Sequence, residues 1–140
     1  MFRFQFWHAS QRLKNLPQKF KKNYNFPPVT AVIPARNEED VITDSLTSLL
    51  NQNYHGELSI ILIDDSSSDA TVKVAQDAAR QFGVTEKVQI ISGKQLPNGW
   101  TGKVWALHQG LDAAMKTPAK YYLFTDCLLY TSPSPRDDEL

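Results

Sequence analysis

The sequence predicts an α/β fold on a mainly parallel sheet, with elements in the order βαβαβαβ. Four short apolar runs, at 30–34, 58–63, 88–91 and 121–124, have strand length and are rich in β-branched or aromatic residues. Three stretches between them carry apolar residues at helical spacing. Strands joined by helices of about a dozen residues imply crossover connections, and crossovers imply parallel neighbours.

The first strand is Thr30 to Pro34. Pro34 has no amide hydrogen to give a central ladder, so it should mark the strand's end. The helix that follows shows Val41/Ile42, Leu46 and Leu49/Leu50 on one face. Asn37 is placed to cap it, with Glu38, Glu39 and Asp40 in its first turn, where the helix dipole favours negative charge. Leu58 to Ile63 is the second strand. Its helix carries Val72, Ala75, Ala79 and Phe82 on one face, with Asp69 at its start and Gly83 as its stop. Val88 to Ile91 is the third strand. The loop from Gly93 to Thr101 contains Pro97-Asn98-Gly99, a turn signature. A third helix has Val104, Leu107, Leu111 and Ala114 in phase. Pro118 separates it from the fourth strand, Tyr121 to Phe124, which leads into Thr125-Asp126.

At 140 residues the chain has room for one domain with a core. Lys+Arg and Asp+Glu balance at 15 each, so no net charge argues for a nucleic-acid partner. A single cysteine, Cys127, rules out an internal disulfide and a cysteine-based zinc site. Reducing cytoplasm is then the default setting. No apolar run reaches the roughly 18 residues of a membrane span, and Met1 to Trp7 makes a poor signal peptide.

Three regions follow: a basic and aromatic lead-in over 1–28, closed by Pro27-Pro28; the domain over 29–126; and an irregular tail over 127–140. Within the lead-in, residues 12–22 carry Arg12, Lys14, Lys19, Lys21 and Lys22 with Leu13, Leu16 and Phe20 between them. This is either a solvated approach to the domain, the plainer reading, or a segment that lies on an anionic membrane surface. The tail has no helical period and two Ser-Pro pairs. It reads either as a native linker or as a foreign read-through joined to a truncated frame, and the second is the expectation here.

Residues 59–69, Ser-Ile-Ile-Leu-Ile-Asp-Asp-Ser-Ser-Ser-Asp, concentrate the chemistry. A buried-type strand stops at two adjacent carboxylates, and open α/β sheets bind ligands at the carboxyl ends of their strands. Strand one leads to Pro34-Ala35-Arg36-Asn37-Glu38, strand two to Asp64-Asp65, and strand four to Asp126. In a parallel sheet these ends share one edge. Against a site stands the plainer reading that Asp64, Asp65 and Asp69 merely cap turns and helices. That reading suits Asp69; Asp65 is expected to be functional. No Gly-x-Gly-x-x-Gly follows strand one and no Walker lysine loop is present, so these nucleotide cradles are excluded. A signalling receiver domain places its acidic pair after the first strand, whereas here the pair follows the second.

Three motifs, in order, resemble family-two glycosyltransferases of the GT-A fold. Val32-Ile33-Pro34-Ala35-Arg36-Asn37-Glu38-Glu39 resembles their opening strand and loop. Ile63-Asp64-Asp65-Ser66-Ser67-Ser68-Asp69-Ala70-Thr71 resembles their second acidic motif, where a glycine often stands at the place of Ser66. Gly102-Lys103-Val104-Trp105-Ala106-Leu107-His108-Gln109-Gly110 resembles their Gly-Lys-x-x-Ala-Leu-x-x-Gly helix start, usually with asparagine in place of His108. Together they cover residues 29–126. The run 97–103, Pro-Asn-Gly-Trp-Thr-Gly-Lys, resembles most the branch associated with hopanoid biosynthesis.

The resemblance implies a donor-binding half-domain, Rossmann-like, with a role for each matching residue. Asp65 would accept a hydrogen bond from the imide N–H of a nucleoside-diphosphate sugar, a task suited to an acceptor-only carboxylate. Pro34, Ala35 and Arg36 would line the donor pocket, with the planar Arg36 guanidinium stacked on the base. Glu38 would lie near the ribose. Lys103 would pair with diphosphate oxygens at a helix start. Asp126 would be the first acid of an Asp-x-Asp motif holding Mg²⁺ or Mn²⁺. Position 128 is Leu128, so the second acid is missing, and so are the catalytic base and the acceptor-binding half. The whole parent would transfer a sugar with inversion to an acceptor hydroxyl, the acceptor unknown and lipid one option. The portion seen here would be inactive. The rival is a non-catalytic nucleotide-binding or regulatory α/β module.

Overall fold

The computed structural model describes residues 25–127. The basic segment 12–22, Leu128 and the rest of the tail lie outside the described residues. Seven elements follow in the expected order: β1 (Val29–Ala35), α1 (Ile42–Leu50), β2 (Leu58–Asp64), α2 (Thr71–Gln81), β3 (Val88–Ser92), α3 (Gly102–Ala114) and β4 (Tyr121–Phe124). All four strands are parallel, in the spatial order β3-β2-β1-β4.

Side chains alternate between the faces of a strand, and this splits the core in two. Ala31, Ile33, Ile60 and Leu62 pack with Ile42, Leu46 and Leu49 of α1 and with Ala75, Ala78 and Ala79 of α2. Val32, Ile61 and Ile63 meet Ala106 and Ala114 of α3 on the opposite face. The small residues of α3 let it lie close to the sheet. A Cβ on Gly110 would stand 2.3 Å from Cγ1 of Val32, a contact no packed core accepts.

Several sequence expectations need correction. Pro34 lies inside β1, paired with Ile63, rather than closing it. Alternate residues of a strand direct their backbone groups to the same neighbour. Val29 N–H donates to Glu57 O and Ala35 O accepts from Asp65, both on the β2 side. Val32 O accepts from Thr125 on the β4 side. Pro34 therefore faces the β4 side, where the ladder has already ended at the Val32–Phe124 pair, and its missing hydrogen costs no bond.

Asn37 does not cap α1. It sits at φ +52, and the helix starts only at Ile42, after a turn in which Glu38 O accepts from both Val41 and Ile42. Glu38, Glu39 and Asp40 thus precede the helix, and the acid in its first turn is Asp44. Phe82 and Val104 are exposed rather than core residues. Phe82 lies just beyond α2, where Gly83 (φ +63) turns the chain. Gly83 N–H donates to Arg80 O and Val84 N–H to Ala79 O, and Val84 takes the apolar contact instead. On α3 the buried stripe is Ala106, Gly110 and Ala114, rotated from the larger side chains that periodicity favoured.

Both ends of the domain are pinned. Phe26 meets Tyr54 and His55 edge-on, and the Tyr54 hydroxyl donates to Pro27 O. Cys127 is buried, and its carbonyl accepts a 2.6 Å hydrogen bond from Ser45 Oγ. β4 is the thin side of the sheet: Tyr121, Leu123 and Phe124 are all exposed.

Candidate functional site

From β1 the chain steps to β2 and β3 on one side, then returns to place β4 on the other side of β1. The carboxyl ends of β1 and β4 thus diverge at a switch point, which is where open α/β sheets form ligand crevices. Arg36 follows β1 and Asp126 follows β4. Asp65 follows β2, one strand away.

Asp65 is held by its backbone, which donates to Ala35 O at 2.8 Å. Its Oδ2 lies 3.7 Å from Nη1 of Arg36. The Arg36 side chain is 64% exposed, against 17% for Asp65, so this pair contributes little to stability and leaves the guanidinium adjustable. On its other side Asp65 meets the start of α3, where a Cβ on Gly102 would stand 2.7 Å from Oδ2. Next along α3, Lys103 Nζ forms an ion pair with Oδ2 of Asp126. Glu38 closes the circuit. Burial raises its carboxyl above the ordinary value, the charges of Asp126 and Asp69 add to this, and Lys103 opposes it. Pro34 and Ala35 are buried beneath as the end of β1. The structure therefore brings all seven expected site residues to one edge.

The start of α3 suits an anion. Thr101 is extended, no side chain caps the helix, and its first turn holds no acid. The start of α2 is closed instead. Glu39 Oε2 accepts from Ala70 N–H at 2.9 Å, and Asp69 Oδ1 accepts from Thr71 N–H at 2.9 Å. Asp64 is likewise structural, its Oδ1 accepting from Ser67 N–H at 3.2 Å. Of the acids at the end of β2, Asp65 meets Arg36 and the start of α3, whereas Asp64 and Asp69 serve turns.

Two residues make contacts that the sequence does not suggest. Gly102 touches Asp65, and its only sequence signal was its place before Lys103. Asn37 bridges to the loop after β2, accepting from Ser68 N–H at 2.8 Å. Trp100 and Trp105 form an aromatic cluster with His108, with ring centroids 5.1–5.5 Å apart. Trp105 Nε1 donates to Lys94 O, and Gln109 Oε1 accepts from Lys94 N–H. These bonds tie the 93–101 loop to α3.

Among the described residues no three His, Cys, Asp or Glu side chains form a group able to hold a metal ion. Asp126 is a hard oxygen donor of the right kind, but it stands as a single ligand with Lys103 against it. These residues do not make a metal site by themselves.

The pattern of one family, glycosyl transferase family 2, matches residues 30–127. The chain is 32% identical over 106 residues to the probable glycosyltransferase YdaM of Bacillus subtilis (strain 168), covering 75% of this chain and 24% of that protein. It is 36% identical over 94 residues to the 4,4'-diaponeurosporenoate glycosyltransferase of Staphylococcus aureus (strain USA300), covering 66% of this chain and 22% of that one. The chain thus spans about a quarter of the length of these curated relatives. Among solved structures it resembles the Mycobacterium tuberculosis glucosyl-3-phosphoglycerate synthase in complex with Mn²⁺, uridine diphosphate and phosphoglyceric acid. The TM-score is 0.53 at 25% identity, over 72% of this chain and 33% of that one. The four-stranded parallel sheet is of the GT-A fold. With its opening loop, acidic motif and Gly-Lys helix start all on one edge of that sheet, the chain belongs to glycosyl transferase family 2.

Proposed function

We propose that this chain is the nucleotide-sugar donor-binding portion of a glycosyltransferase. One observation carries the reading: Asp65 lies between the Arg36 guanidinium and the uncapped start of α3, with Lys103 one residue further on. A nucleoside diphosphate matches that order of groups. Its base offers an imide N–H to Asp65 and a flat face to Arg36. Its diphosphate meets Lys103 and the helix N-terminus. Lys103 would leave Asp126 to make that contact. Glu38 would lie near the ribose.

In the whole enzyme the sugar would pass with inversion to an acceptor hydroxyl. A divalent cation, Mg²⁺ or Mn²⁺, would join Asp126 through ligands from outside the described residues; the Mn²⁺ and uridine diphosphate in the mycobacterial synthase complex support this. The run 97–103 supports, as a narrower proposal, the hopanoid-associated branch. The cytoplasm, with contact to a membrane surface through 12–22, is the proposed setting.

Calorimetry with uridine and guanosine diphosphates tests the reading, on this chain and on Asp65→Ala. Binding that falls by about tenfold or more in the variant supports it, the loss expected for a charged acceptor. Binding indifferent to Asp65 would favour a regulatory nucleotide module and sink this site. The portion alone is expected to release no nucleoside diphosphate in an acceptor-dependent assay.

A further inference from the structure

The loops after β1 and β2 are joined by six hydrogen bonds in which each loop serves the other. Asn37 N–H donates to Ser67 Oγ at 3.0 Å, and Asn37 Oδ1 accepts from both the N–H and the hydroxyl of Ser68. Glu38 N–H donates to Thr71 Oγ1 at 2.8 Å. Glu39 N–H donates to Asp69 Oδ2, and Glu39 Oε2 accepts from Ala70 N–H. The reciprocity matters because the two residues meant to meet a base, Arg36 and Asp65, belong to different loops. Arg36 immediately precedes this network on one side, and Asp65 stands two residues before Ser67 on the other. Beyond the network, the Asp65 N–H to Ala35 O bond and the long 3.7 Å ion pair are the direct links across that gap.

We propose that Asn37 is a positioning residue that locks these loops in register and so sets the spacing of Arg36 and Asp65 for a nucleobase. The proposal rests on the donor-site reading above. Asn37 suits the task for two physical reasons. Its backbone is at φ +52, a left-handed conformation that asparagine tolerates better than most residues. Its amide oxygen has two lone pairs, and both are used on Ser68. Any side chain without an acceptor at that distance leaves the Ser68 N–H without this partner.

Asn37→Gly separates the two roles, because glycine keeps the left-handed backbone and removes the acceptor. Gly83→Ala, which strains a φ of +63 at the far end of α2, serves as a comparator that destabilises the same domain away from the site. Two quantities are read on the full chain: uridine diphosphate affinity by calorimetry, and amide hydrogen exchange at Asp65. In Asn37→Gly the affinity is expected to fall roughly three- to tenfold and protection at Asp65 about tenfold, with the sheet centre at Ile61 and Leu62 unchanged. Gly83→Ala is expected to lower Tm without either effect. The proposal is overturned if Asn37→Gly matches the unmodified chain in affinity or at Asp65, or if Gly83→Ala weakens binding as much. If the unmodified chain binds neither uridine nor guanosine diphosphate, the donor-site reading fails, and the loop lock is then decided by exchange at Asp65 alone.

Discussion

Gly102 and Asp65 approach so closely that the missing side chain of one defines the position of the other. A Cβ at 102 would lie 2.7 Å from Asp65 Oδ2. The obstacle is the far end of a short side chain, so the fold can yield by turning the carboxylate aside. Gly102→Ala should therefore leave Tm within a few degrees, since alanine also favours a helix start over glycine. The same change should weaken nucleoside diphosphate binding by about tenfold, because the acceptor has moved. Calorimetry beside a thermal melt checks the pair of outcomes. Unaltered affinity would remove Asp65 from the base pocket.

Gly110 poses the opposite case. Its virtual Cβ meets Val32 at 2.3 Å and Ile63 at 3.1 Å, both deep in the core, where neither neighbour has room to withdraw. Overpacking of this kind costs about 1–3 kcal/mol, against a helix-propensity gain of about 1 kcal/mol. Gly110→Ala should lower the urea midpoint, and adding Val32→Ala should restore part of the loss. Purely additive losses in the double variant would show that the contact is not the cause.

Ser66 stands at φ +57, in the left-handed region. A non-glycine residue there carries a conformational cost of about 1 kcal/mol. Ser66→Gly relieves it but also loosens the unfolded chain, so a gain of up to about 1 kcal/mol is expected in urea melts. This is the position at which the resemblance anticipated glycine, and the backbone angle supplies the reason.

Glu38 makes stability depend on pH. Burial, then Asp126 and Asp69, raise its carboxyl above 4.5 in the folded chain. A raised group favours folding below its unfolded value and loses that contribution as pH rises through the folded one. Glu38→Gln should therefore melt higher than the unmodified chain at pH 7, with the gap closing as the pH falls below about 4.5. Asp69 works the other way. Its bonds from Thr71 hold it below 3.8, so its contribution disappears only as the pH falls further. A Tm series across pH 3–7 for both proteins separates the two.

Cys127 should be chemically silent. It is 1% exposed, and burial, with Glu38 and Asp126 nearby, pushes its thiol up to about 12. A thiol reagent at pH 8 should find no reactive group in the folded chain and one after denaturation. Rapid native labelling would mean that the end of the domain opens.

The order of elements and their parallel pairing were legible because they rest on local patterns: β-branched runs such as Ile60–Ile63, helical periods such as Leu46 and Leu49, and a stop at Gly83. The polar residues at the strand ends were legible for the same reason. What escaped depended on contacts between distant segments. Asn37 looks like a helix cap by type and position, yet its oxygen serves Ser68 across the neighbouring loop. Val104 fits a helical period, yet α3 turns its small residues inward to come close to Val32. Gly102 matters only because β2 ends beside it. No local window contains these partners.

Pro34 has a consequence for how far β4 can pair. On the β4 side of β1, the last strand amide to be accepted is that of Thr125, by Val32 O. Beyond it Pro34 has a tertiary amide nitrogen with no hydrogen to donate. β4, which pairs along this side, therefore releases its grip before β1 ends. Arg36, Lys103 and Asp126 gather where it lets go. The ring that shortens the ladder thus marks where these three charged side chains collect.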